Sequence, residues 1–236
     1  MKGLIMSRIF ITGDTHADYD WNKLTTKSFP EQKKLTKDDY VIIAGDFGGV
    51  FLLDKTDKYI QKNYNGRNFT TLFIDGNHEN HDALDAYPVE EWHGGKIHRI
   101  ADSVFHLMRG QVFEICGKTF FTMGGAESTD RQYRKEGKTW WTREMPSIEE
   151  YEEAITNLEK CGGKVDYVIT HCAPEATLCA LNMPNMYFRS ANELTSFFDT
   201  IAQTIQFKDW YFGHYHDDSD CGKFHLLYRR IVEVET

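Results

Sequence analysis

The stretch Tyr40-Val-Ile-Ile-Ala-Gly-Asp46-Phe-Gly-Gly49 decides the fold. Apolar residues in a row, then Gly-Asp-Phe-Gly-Gly, read as a buried strand that ends in a sharp turn. A carboxylate just past the carboxyl end of a buried strand is badly placed for packing. It is well placed to hold something in the crevice above the sheet. One such ending is a common way to make a turn. Here the same event recurs along the chain, each time with a metal-ligating residue type.

Upstream, Arg8-Ile-Phe-Ile-Thr-Gly-Asp14 is a strand of the same kind; downstream, Thr70-Thr-Leu-Phe-Ile-Asp-Gly76 is another. Residues 19–39 predict one or two short helices, and residues 57–63 a helix that returns the chain. Asn80 is placed to cap a short helix that must end near Tyr87, before Pro88. Strands spaced by helical segments imply parallel pairing through crossovers. Between Lys96 and Gly125 the pattern changes, and segments 104–108, 111–115 and 118–123 predict antiparallel strands joined by tight turns. Ser147 and Glu150 make a capping-box pair, with Ile148, Tyr151, Ile155 and Leu158 as one apolar helical face that Gly162 ends. Ser190 and Glu193 make a second pair ahead of Leu194, Phe197, Phe198, Ile201 and Ile205. Strands are expected at 165–170, 209–213 and 224–232. Residues 1–236 read as one α/β domain with two facing sheets.

A chain of 236 residues can bury a substantial core. Its net charge of −9 argues against a general nucleic-acid binder, because phosphate backbones attract basic surfaces. The five cysteines are odd in number and form no Cys-x-x-Cys pair, which fits a reducing compartment without a disulfide framework or a structural zinc cluster. The first apolar run is broken by Ser7-Arg8, with no small-residue cleavage site before Thr12, and no run approaches membrane-spanning length. The expectation is a cytoplasmic protein with no membrane and no stable nucleic-acid partner.

Five strand ends line up: Asp14-Thr-His16, Gly45-Asp46, Gly76-Asn77-His78-Glu79, Thr170-His171 and Gly213-His214-Tyr-His216. Together they offer carboxylates, an amide oxygen and imidazoles, a mixture that suits two divalent transition metals. The period-two spacing in Asp14-Thr-His16 and His214-Tyr-His216 puts both side chains of each pair on one face of an extended backbone. A lone histidine on a strand, such as His98, His106 or His225, reads as packed or surface.

This set resembles the calcineurin-like metallophosphoesterase superfamily, whose pattern is Asp-x-His, Gly-Asp, Gly-Asn-His-Asp/Glu, His and Gly-His-x-His. The matching motifs span Asp14 to His216. The resemblance implies a four-layer α/β/β/α sandwich and a phosphoesterase that cleaves phosphomonoesters or phosphodiesters by in-line attack of a hydroxide bridging two divalent metals. It implies that Asp14, His16 and His216 hold the first metal, that Asn77, His171 and His214 hold the second, and that Asp46 bridges both. His78 would stand over the substrate as an acid. Manganese is the first expectation, and iron, zinc, nickel or magnesium suit the same donors. The partner expected is a small phosphorylated substrate.

Three positions, Ala17, Gly49 and Val50, depart from the pattern. Ala17 stands where the family often has Gly after the first His. Asp46 is followed by Phe47-Gly48-Gly49-Val50, so the Asp-Arg of the phosphoprotein phosphatases is missing. That weighs against a serine/threonine protein phosphatase. It also leaves open which carboxylate supports His78, with Glu79 and Asp18 as candidates. A non-catalytic metal-binding scaffold should show lost ligands or a replaced His78; this chain keeps all of them. With no clamp Arg at Val50, the polar loop 127–145 becomes the candidate for substrate choice, through Arg131, Arg134 and Arg143. The bland alternative is a solvated loop pinned to the core by Trp140 and Trp141.

Overall fold

The computed structural model describes residues 7–181 and 191–235. Continuous apolar runs dictate its centre. β1 (Ile9–Thr12), β2 (Tyr40–Ile43) and β3 (Thr70–Phe73) are covered on both faces, as parallel strands must be. They are parallel and in register, Ile11 opposite Ile42 and Ile42 opposite Leu72. β4 (Val89–Trp92), β5 (Gly95–Ala101) and β6 (Val104–Leu107) extend this sheet on one side. β13 (Ile231–Val234) extends it on the other, antiparallel to β1. The described strand order is β13-β1-β2-β3-β6-β5-β4. The second sheet holds β7 (Gln111–Ile115), β8 (Lys118–Met123), β9 (Tyr167–Thr170), β10 (Asp209–Phe212), β11 (Ser219–Cys221) and β12 (Phe224–Leu226). Its order is β11-β12-β10-β9-β8-β7.

Alternate residues of each strand serve different layers. Ile9, Ile11, Ile42 and Leu72 meet Phe113, Phe120, Tyr167 and Ile169 between the sheets. Phe10, Val41, Ile43 and Phe73 pack outward with Ile60 and Tyr64 of α1 (Lys55–Asn65) and Leu84 of α2 (His81–Asp85). On the far side, Phe121, Val168, Trp210 and Phe212 pack with α3 (Ile148–Lys160), α4 (Glu175–Ala180) and α5 (Glu193–Thr204). The four-layer α/β/β/α sandwich expected from the sequence is the fold. No helix among the described residues is long and apolar enough to cross a membrane.

The helix starts follow side-chain chemistry. Asn80 accepts from the Ala83 N–H at 3.1 Å, as its position predicts. Ser147 and Glu150 form the reciprocal capping box of α3. The second box is corrected: Ser190 lies outside the described residues, and Asn192 caps α5 with Thr195 as its partner. The apolar face of α3 is corrected too. Ile148 and Ile155 are exposed, and Ala154 and Leu158 are the buried residues.

The strand expected at 224–232 is two strands in different sheets. Asp218 accepts from the backbone N–H groups of Tyr228, Arg229 and Arg230 at 2.8, 3.0 and 3.1 Å. Those three donors are thereby withdrawn from any ladder, and the chain turns from β12 to β13. β4 and β11 escaped sequence reading because edge strands with partly exposed, polar residues carry little hydrophobic pattern.

Candidate metal centre

The parallel register of β1, β2 and β3 brings Asp14, Asp46 and Asn77 out on one edge. β9 and β10 are parallel in the same way, with Thr170 opposite Phe212, which delivers His171 and His214. The two sheets meet here: His171 Nδ1 lies 2.8 Å from the Ala44 carbonyl oxygen at the end of β2.

The turns leave no room for error. A Cβ on Gly213 would stand 2.1 Å from Asp14 Oδ1, and one on Gly76 2.1 Å from Asp46 Oδ1. His16, Asp46, His214 and His216 themselves adopt positive φ of 42°, 49°, 71° and 50°. Non-glycine residues rarely pay that strain without a function. Backbone donors then fix the carboxylates: the His78 N–H donates to Asp46 Oδ1 at 2.8 Å, and the His214 N–H to Asp14 Oδ1 at 2.9 Å.

The sequence-predicted ligands meet in this crevice. Asp46 Oδ2 lies 3.2 Å from His16 Nε2 and 3.3 Å from His171 Nε2, a central position between the two halves. Asp14 Oδ2 lies 3.1 Å from His216 Nε2, and His171 Nε2 lies 3.2 Å from Asn77 Oδ1. Ligand atoms of Asp14, His16 and His216 all lie within 4.8 Å of one another. Those of Asp14, Asp46 and His171 form a second such group, and those of His16, Asp46 and His78 a third. The His214 ring stands edge-on to His171 at 4.9 Å.

Three observations fit this set to divalent cations. Asp14 Oδ2 is buried and faces the His216 imidazole, itself a metal-ligating type, at 3.1 Å. The donors are oxygens and imidazole nitrogens, the mixture for transition divalents. The second ring nitrogens are held from behind, His16 Nδ1 by Asp20 at 2.7 Å and His171 Nδ1 by the Ala44 carbonyl. Both Nε2 atoms are thus turned into the site, as in metal-ligating histidines generally.

Electrostatics express the same crowding. Burial opposes charge on His171, yet Asp46 and Asp14 raise its pKa to about 10. Burial likewise opposes His16, and Asp46 and Asp14 raise it to about 9. His214 is pushed down to about 3 by burial and by His171. His78 lies below an ordinary histidine, chiefly through burial, with Arg134 adding to the depression against Asp46.

His78 has a different neighbour from either expected carboxylate. Glu79 is fully buried and clamps two turns, accepting from the Gly48 N–H at 3.2 Å and the Gly76 N–H at 2.6 Å. Burial and Asp46 raise its pKa to about 8. Asp18 is exposed. Among the described residues no carboxylate hydrogen-bonds the His78 ring. Arg134 lies against it instead, Nη1 and Nη2 at 3.4 and 3.3 Å from the ring nitrogens.

The three loop arginines separate in space. Arg134 lines a cavity of about 240 Å³ together with Asp46, Asn77, His78, Ser128, Thr129, Asp130, His214 and His216. Its Nε is 2.8 Å from Asp130. Arg131 pairs with Glu127 and lies over Trp140, and Arg143 pairs with Asp85 and Glu150. Neither lines that cavity. Trp141 pins the loop to α2 through a 3.0 Å bond to Asp82.

Sequence reading missed several supports. Asp20 holds His16, and Tyr228 donates to Asp20 at 2.8 Å while stacking on His216. The Lys23 ammonium donates to the carbonyls of Gly13, Asp14 and Tyr228. Asp75 takes Arg109 at 2.8 and 2.5 Å and lies 3.1 Å from His106. Asp20, four residues after His16, was the one with a local signal; the rest are partnerships across the fold. His98 and His106 are packed, as expected, and His225 sits partly exposed between Asp209 and Asp220.

An α/β/β/α sandwich with an Asp/His crevice at its strand ends is the frame of a metal-dependent phosphoesterase. The family model for calcineurin-like phosphoesterases matches residues 7–218, and the chain belongs to that family. A comparison with curated proteins finds no match.

Proposed function

We propose that this phosphoesterase is a binuclear phosphohydrolase acting on small phosphomonoesters or phosphodiesters. Asp14, His16 and His216 would hold one divalent ion, Asn77, His171 and His214 the other, and Asp46 would bridge them. The observation that carries this is the central place of Asp46 Oδ2, 3.2 Å from His16 and 3.3 Å from His171, one imidazole from each set. Two bound divalent ions, manganese in the first instance, would neutralise phosphate oxygens and bring a water's pKa toward neutrality.

The protein's own groups divide the remaining work. Arg134 offers a planar pair of N–H donors to a phosphate, the geometry that favours Arg over Lys. A phosphate seated there draws the guanidinium away from His78 and places negative charge beside the ring. Both changes raise the imidazole's hold on a proton. His78 then donates that proton to the departing oxygen, a role worth on the order of 10²–10⁴-fold. The cavity of about 240 Å³ suits a small ester and supports this reading over a protein phosphatase. Val50, where the phosphatase Arg would stand, is buried. The unpaired cysteines support a reducing, cytoplasmic setting.

The test is hydrolysis of p-nitrophenyl phosphate and its bis ester by metal-stripped protein, titrated back with manganese, iron, zinc, nickel or magnesium. Turnover that saturates at two equivalents supports the proposal. Saturation at one equivalent refutes the binuclear assignment, and no turnover with any of the metals favours a scaffold.

A further inference from the structure

An asparagine can present either its oxygen or its NH₂ group, and only the oxygen can ligate a cation. Asn77 Oδ1 faces His171 in the site. What sets that orientation lies on the substrate loop. Asn77 Nδ2 donates to Ser128 Oγ at 3.1 Å, and both residues are buried. Ser128 is in turn held by Glu144, which accepts from the Ser128 N–H at 3.0 Å. Glu144 is itself 1% exposed. The Ser128 hydroxyl oxygen accepts from Asn77 Nδ2, and an amide held that way turns its oxygen toward the site. The far end is fixed as well, because the Glu144 carbonyl accepts from buried Arg109 at 3.3 Å.

We propose that Ser128, anchored by Glu144, is the positioning residue that orients the Asn77 amide for metal binding. The loop 127–145 would then complete the metal centre as well as wall the substrate cavity. This rests on the assignment of Asn77 as a ligand made above. Sequence reading gave the loop only a role in substrate choice, since nothing local links Ser128 to Asn77 fifty-one residues earlier.

The test measures metal binding directly, by calorimetric titration of manganese into metal-stripped protein, with circular dichroism to confirm folding. Removing an outer-shell partner typically weakens metal affinity about 10–100-fold. Ser128→Ala should weaken one of the two manganese-binding steps by that factor and leave the other near wild type. In an Asn77→Asp background, Ser128→Ala should cost no measurable affinity, because a carboxylate has no amide to orient. Wild-type affinity at both steps in Ser128→Ala overturns the proposal. So does an equal loss in the two backgrounds, which would mark Ser128 as general packing. Asn77→Ala separates the failures. If it keeps both binding steps, the ligand assignment falls; if it loses one while Ser128→Ala loses none, only the positioning role falls.

Discussion

Arg109→Met removes the guanidinium of a fully buried side chain and keeps its apolar stem. The loss falls on several partners at once. Asp75 Oδ2 gives up contacts at 2.8 and 2.5 Å, Glu150 one at 3.2 Å, and the Arg143 carbonyl one at 2.8 Å. Asp75 is left buried beside two imidazoles, His106 at 3.1 Å and His81 at 4.0 Å. Removing one partner of a buried ion pair costs about 3–5 kcal/mol. Set against a typical total of about 5–15 kcal/mol, that is a large share of stability. Urea unfolding of metal-stripped protein at several pH values measures it. In the wild type, burial opposes ionisation of Asp75, but Arg109 and His106 hold its carboxyl well below the ordinary 3.8. That contribution is present above 3.8 and fades as pH falls through the lower, folded value. In the variant burial prevails and the folded pKa rises above 3.8, so the destabilisation eases as pH falls toward that figure. The pH slope at this site reverses. Adding Asp75→Asn should recover part of the loss, since no unpaired charge then remains. A single-variant cost below about 1 kcal/mol, the scale of an exposed pair, would refute the reasoning. So would a double variant no more stable than the single one.

Asp46→Asn should strip at least one metal equivalent and abolish turnover; elemental analysis showing two tightly bound equivalents with normal activity would sink the bridging role. His78→Ala should keep both metals and lose more rate on alkyl phosphates than on p-nitrophenyl phosphate, whose leaving group needs no proton. An equal loss on both esters counts against the acid role. Arg134→Ala should lose roughly 1.5–3 kcal/mol of transition-state binding, the range for a hydrogen bond to a charged group. Arg131→Ala and Arg143→Ala should stay near wild type in kcat/KM, because both face carboxylates outside the cavity. A ranking with Arg143→Ala worst would contradict that placement.

The central strands and the ligand set were legible because parallel strands buried on both faces write themselves as apolar runs, and each run ended in a motif. The end of the chain was harder. Residues 224–232 carry a β-favouring composition throughout, and only Asp218, reaching three backbone donors from outside the stretch, divides it. The α3 face misled because Ile148 and Ile155 fit a helical period yet remain exposed, while small Ala154 takes the buried place. In the site, the ligand types were readable and their supports were not. Glu79 sits inside the motif, but its bonds to Gly48 and Gly76 follow from the packing of two turns. Arg134 could not be told from Arg131 and Arg143 by composition; position in space separates them.

The left-handed backbone at His16, Asp46, His214 and His216 bears on how such a chain drifts over generations. Each of these residues holds a conformation that glycine adopts freely, and each costs on the order of 1–3 kcal/mol for doing so. A lineage freed from the chemistry relieves that strain by letting glycine in, against the loss of side-chain bonds such as those of Asp46 to the His78 N–H and of His16 to Asp20. Side chains persist at such positions only while selection holds them there. The four backbone angles therefore act as a clock of use: in descendants that lose the reaction, these ligands should erode before the apolar strands that carry them.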